Sequence, residues 1–75
     1  MAEFIDTKLL KKITIVLKEL REEKGVTQGD VYNDTNIHIG RIETGRRNIN
    51  ISTLSALCKY FKIKMSEFLR RVEEL

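Results

Sequence analysis

The decapeptide Ile39-Gly40-Arg41-Ile42-Glu43-Thr44-Gly45-Arg46-Arg47-Asn48 decides how this chain folds. Ile39 and Ile42 stand three residues apart, the spacing of one helical face, and Arg41 points off that face. Gly45 fits the left-handed residue that commonly follows a helix end, and two arginines come directly after it. A helix over Ile39–Thr44 is therefore expected, with Asn36 or His38 near its start. Six residues do not hold a helix alone in water, so packing against neighbours must fix it.

Upstream, Thr27 and Asp30 have the spacing of a capping box, predicting a second helix that starts after Thr27 and carries Val31 and Tyr32 inward. It should stop at Thr35-Asn36, because asparagine tolerates the left-handed conformation; Gly29 inside it costs about 1 kcal/mol of helix propensity against alanine. Before that, Leu9, Ile13, Val16, Leu17 and Leu20 form an amphipathic stripe, capped at Asp6 or Thr7 and ended at Gly25. Downstream, Asn50 can cap a fourth helix with Ile51, Leu54, Leu57, Cys58 and Phe61 inward. A fifth runs from Met65 to Leu75, with Phe68, Leu69, Val72 and Leu75 on one stripe. The expectation is an all-α fold of five helices without a strand. It forms one domain over residues 1–75, residues 1–8 being an N-terminal extension and helices two and three a closely spaced pair.

Composition narrows the function classes. The chain has no proline, one cysteine, one histidine and no apolar run near the roughly 20 residues of a membrane span. The first residues lack the basic start and long apolar stretch of a signal peptide. Cys58 has no partner for an internal disulfide, which fits a reducing cytoplasm, and its spacing with Leu54, Leu57 and Phe61 makes it a small core residue. One histidine and one cysteine do not supply a four-ligand metal site, and no cofactor motif is present. No serine, histidine and carboxylate suggest a shared catalytic pocket, and no glycine-rich phosphate loop appears, so an enzyme is not expected.

The net charge is +3, but it is unevenly spread. Residues 35–64 carry six basic side chains (Arg41, Arg46, Arg47, Lys59, Lys62, Lys64) against one acid, Glu43, a balance of +5, while the segments on either side are each −1. Such clustering is what contact with phosphates requires, and it is also compatible with an ordinary solvated surface.

Thr27-Gln28 at the start of one short helix, followed by the Arg41-Ile42-Glu43 word, Gly45 and two arginines, resembles the Cro and phage-repressor type of helix-turn-helix, the xenobiotic-response-element family. The resemblance spans about residues 10–70. It implies that Gln28, in the first turn of the second helix, touches DNA at the backbone or a base edge. It also implies that Asn36 and His38 stand where members place base-reading side chains. His38 can donate to a base or phosphate, or simply cap the helix. Arg41 can pair with guanine in the major groove, hold a phosphate, or remain a surface arginine. Gly40 either lets the backbone approach DNA or is only a poor helix former on an exposed face. Thr44, Arg46, Arg47 and Asn48 lie in the loop that straddles the DNA backbone in the family, where arginines beside a glycine suit phosphate oxygens.

Arg21 and Glu43 match the arginine and glutamate that pair in the interior of family members, a structural role that orients the recognition helix. The chain departs from the family between Gln28 and Arg41, where Asp34–Ile39 has lost one helical turn. Either the start of the recognition helix is shortened, or the second helix is shortened and Thr35 caps the third.

The resemblance implies a sequence-specific regulator of transcription in the cytoplasm. It would be a dimeric repressor on double-stranded DNA, with regulation through dimerisation, abundance or another protein. The apolar stripe Phe68, Leu69, Val72 and Leu75 exceeds what one small core needs and is the expected homodimer interface. An antitoxin-like protein-interaction module that also binds DNA is the alternative.

Overall fold

The computed structural model describes residues 4–75; the first three residues of the expected N-terminal extension lie outside the described part. Five helices follow one another: α1 (Thr7–Lys24), α2 (Gln28–Thr35), α3 (Ile39–Ile42), α4 (Ile51–Tyr60) and α5 (Met65–Glu73), with no strand among the described residues. The Asp6 carboxylate accepts the Leu9 N–H at 3.0 Å and caps α1, so Thr7 and Lys8 are the first turn of a helix rather than part of an extension. At the other end Gly25 closes α1 in the left-handed region, as expected.

Thr27 and Asp30 form the full capping box: Thr27 Oγ1 accepts the Asp30 N–H at 3.0 Å, and Asp30 accepts the Thr27 N–H at 2.8 Å. Hydrogen bonding of its carboxyl to the Thr27 backbone first, and to the Thr27 side chain second, holds Asp30 below its ordinary range. At the end of α2, Asn36 adopts φ +63° while its N–H reaches the Tyr32 carbonyl at 2.7 Å. Thr35 is the last residue of α2, its hydroxyl donating to the Val31 carbonyl, so it does not cap α3. The second helix keeps eight residues and the third has four; the brevity falls on α3.

The expected helix to Thr44 stops two residues earlier, with Glu43 as C-cap. The Thr44 hydroxyl donates to the Arg41 carbonyl at 2.7 Å, and Gly45 turns the chain with φ +73°, which together take the backbone off the helical path. Asn50 caps α4 by accepting the Thr53 N–H at 2.8 Å.

The core draws on every helix: Ile13, Val16, Leu17 and Leu20 from α1, Val31 from α2, Ile39 from α3, Leu54, Leu57 and Cys58 from α4, and Phe68 and Val72 from α5. Burial pushes the Cys58 thiol pKa up, as suits a packing residue. Three expected core positions are corrected. Leu10, not Leu9, is buried on the first helix; Tyr32 lies outside the core; and Ile51, the first helical residue of α4, is 65% exposed.

The larger correction concerns α5. Phe68 and Val72 are both 0% exposed and fill the core of their own chain, because α5 packs chiefly along α1. Arg71 reinforces this packing by reaching Glu23 at 3.3 Å and Glu19 at 3.7 Å. Of the stripe expected to join two copies, half-buried Leu69 and exposed Leu75 are what remain on the surface.

Candidate nucleic-acid interface

α2 and α3 meet at the left-handed turn of Asn36, and Val31 and Ile39 bury the inner side of the pair completely. With its apolar residues committed inward, four-residue α3 turns Arg41 to solvent. One buried contact fixes its orientation. Glu43 accepts Arg21 Nε at 2.7 Å and Arg21 Nη2 at 3.1 Å, a bidentate pair whose side chains are 14% (Arg21) and 7% (Glu43) exposed. Arg21 also donates to the Val26 carbonyl at 3.1 Å. The hydrogen bond to Glu43 outweighs the opposing effect of burial and raises the pKa of the Arg21 guanidinium above its ordinary value. The interior pair expected from Arg21 and Glu43 is present.

Gln28 joins the same group, its Nε2 donating to Glu43 Oε1 at 3.0 Å. Part of its amide is thus used within the chain, and its side chain, still exposed, lies against Gly40. Gly40 is correspondingly half-buried. His38 occupies the N-cap position of α3 without a side-chain capping bond, and its ring stacks on Tyr32 with centroids 4.3 Å apart. The aromatic face therefore holds the imidazole at the start of α3.

His38, Arg41, Arg47 and Asn48 gather around an open depression of about 230 Å³. Ile42, Ile49, Asn50 and Thr53 complete its lining. The last two were not singled out as site residues; the signal was a polar start to α4 directly after the basic loop. Thr44 shapes that loop, its Oγ1 accepting the Arg46 N–H at 3.3 Å. Asn36 is exposed but serves the turn through its backbone.

The six arginines fall into two sets. Arg21, Arg70 and Arg71 each meet carboxylates: Glu43 for Arg21, Glu67 and Glu74 for Arg70, Glu19 and Glu23 for Arg71. Arg41, Arg46 and Arg47 are exposed, and among the described residues none forms a salt bridge with them. The arginines without a carboxylate partner are thus those of α3 and of the loop that follows it.

A short, buttressed helix behind a tight turn, followed by an exposed basic loop, is the arrangement of a helix-turn-helix DNA-binding domain. The helix-turn-helix family model matches residues 17–68, and the chain belongs to that family, in its Cro and phage-repressor branch, whose members are DNA-binding regulators. Several crystal structures of the restriction-modification controller protein C.Esp1396I share the fold. Its tetramer in complex with its natural 35 base-pair operator is 32% identical, with a TM-score of 0.78 over 88% of this chain and 91% of that one. The wild-type protein gives 32% and 0.78 over 88% of both chains, and a single-residue variant gives 31% and 0.78 over 99% and 92%. No curated protein matches the chain in sequence. Among the described residues no helix is long and apolar enough to cross a membrane.

Proposed function

We infer that the chain is a DNA-binding transcriptional regulator that docks α3 into the major groove of an operator as a homodimer and represses transcription there, in the cytoplasm. The observation that carries this reading is the division of the arginines. Among the described residues, Arg41, Arg46 and Arg47 form no salt bridge, while every other arginine meets a carboxylate. Exposed guanidinium groups on a rigid support suit phosphate oxygens and guanine edges. Each residue then has a role. Arg46 and Arg47 hold the DNA backbone, with Thr44 and Asn48 ordering their loop. Arg41 reads a base edge, and His38 and Gln28 flank it, with Asn36 setting the turn. C.Esp1396I forms a tetramer in complex with its natural operator, and an operator target, here a near-palindromic one met by two copies, suits this chain. In a two-fold pair the recognition helices would lie roughly 34–36 Å apart.

Selection of bound duplexes from a random pool, followed by titration at several salt concentrations, tests the reading. With three phosphate contacts per protomer, from Arg46, Arg47 and Lys59, log affinity should fall against log salt with a slope of about −2.7 per protomer. Affinity that stays flat across salt, or a pool that never enriches, would refute it.

A further inference from the structure

Gly40 stands in the middle of the recognition helix, where its missing side chain has a consequence for Gln28. A Cβ at residue 40 would lie 2.9 Å from Gln28 Oε1 and 3.3 Å from Gln28 Cδ, closer than side chains pack. The Gln28 amide occupies that space because its Nε2 reaches Glu43 Oε1 at 3.0 Å. The orientation of the amide is set by chemistry. Glu43 accepts both Arg21 bonds and offers its oxygens as acceptors here too, so Nε2 must face it and Oε1 must face Gly40. One Nε2 proton and the Oε1 lone pairs remain for an outside partner.

We propose that Gly40 is a positioning residue: its bare backbone seats Gln28 on Glu43 and thereby fixes which edge of the amide Gln28 presents to DNA. This rests on the reading of the α2–α3 face as the DNA interface. Gly40 then acts through Gln28, not by admitting the DNA backbone.

The test is a cycle of Gly40→Ala, Gln28→Ala and the double variant, read by melting, by the Gln28 side-chain amide signals in nitrogen-15 NMR of the free protein, and by affinity for the selected operator. Alanine is the better helix former, so Gly40→Ala should fold and melt no lower than the parent. Its Gln28 amide signals should move to the positions of a solvated glutamine. Affinity should drop about tenfold, the scale of one lost polar contact, and the double variant should bind no worse than Gln28→Ala alone. Unmoved amide signals in Gly40→Ala would overturn the positioning. So would losses that multiply in the double variant, since those belong to a direct clash between residue 40 and DNA. If the amide signals move but Gln28→Ala binds like the parent, the positioning stands and the DNA role of Gln28 falls. A parent with no salt-dependent affinity would instead remove the interface reading itself.

Discussion

Replacing Glu43 by alanine should bring the protein close to unfolding. The carboxylate accepts three hydrogen bonds, two from Arg21 at 2.7 and 3.1 Å and one from Gln28 at 3.0 Å. Its loss leaves the Arg21 guanidinium, 14% exposed, with the Val26 carbonyl as its remaining partner. Breaking a buried ion pair from one side costs roughly 3–5 kcal/mol, because the surviving charge stays desolvated; the partial exposure of Arg21 favours the lower end. A domain of 75 residues has a total stability of about 4–11 kcal/mol at 0.05–0.15 kcal/mol per residue. A loss near 3 kcal/mol is therefore about a quarter to three quarters of the whole, and should lower the melting temperature by roughly 12–24 °C. Thermal and urea unfolding followed by circular dichroism reads this directly. The double variant Arg21→Met with Glu43→Leu removes both charges and should recover most of the loss, because a well-packed apolar pair often matches a buried ion pair. A Glu43→Ala protein melting within a few degrees of the parent would refute the reasoning, as would a double variant less stable than Glu43→Ala.

Arg47→Ala should weaken binding to selected and random duplexes alike, whereas Arg41→Ala should relax preference at one base position by roughly 1–3 kcal/mol. Competition titrations with both DNAs separate the two, and equal losses for Arg41→Ala would make Arg41 a backbone contact. The Tyr60 hydroxyl donates to Asp34 at 2.6 Å, and this hydrogen bond, with burial and the charges of Asp34 and Asp30, pushes the Tyr60 pKa up to about 12. Because the folded state holds the proton longer, the stabilisation is present below the ordinary tyrosine pKa of about 10 and is lost as pH rises from there through about 12. Ultraviolet titration of phenolate should show this late step, and Asp34→Ala should bring it down. Lys62 sits in the left-handed region at φ +58°, closing α4 as the Ile63 N–H bonds the Cys58 carbonyl at 3.0 Å. Lys62→Gly should therefore raise stability by about 1 kcal/mol, and unfolding curves that coincide with the parent's would refute that strain.

The fold could be read from the chain because its helix ends carry local chemistry. Asp6, Thr27 and Asn50 cap the helices they were expected to cap, and Gly25, Asn36 and Gly45 make their left-handed turns. Each of these depends on a side chain and a backbone group within four residues, so sequence is sufficient. The errors came where a neighbour distant in sequence decides. Leu9 and Leu10 both continue the apolar pattern of α1, and tertiary packing buries Leu10 to 5% exposure while leaving Leu9 at 41%. Ile51 is in register with Leu54 and Cys58 but sits a turn beyond the edge of the core. Lys62 makes a turn that no glycine or asparagine announces.

The α5 stripe shows the limit most clearly. Periodicity reports that Phe68, Leu69, Val72 and Leu75 need burial without saying which surface provides it. In the fold, α1 covers Phe68 and Val72, so a charge placed at Val72 would unfold the chain before it could report on a dimer. The site divides in the same way. Arg41, Arg46 and Arg47 stand out by charge alone. The link from Arg21 through Glu43 to Gln28 joins residues 22 and 15 positions apart and exists only after the chain has turned at Asn36. That link also changes what the short recognition helix can do. With Ile39 buried, Glu43 committed to Arg21 and Gly40 under Gln28, Arg41 is the one residue of α3 free to reach a base edge. Its neighbours His38, Arg47 and Asn48 flank it from outside the helix. Direct readout should then be concentrated at the base pair opposite Arg41, with the remaining operator preference coming from the shape and flexibility of the duplex under the basic loop.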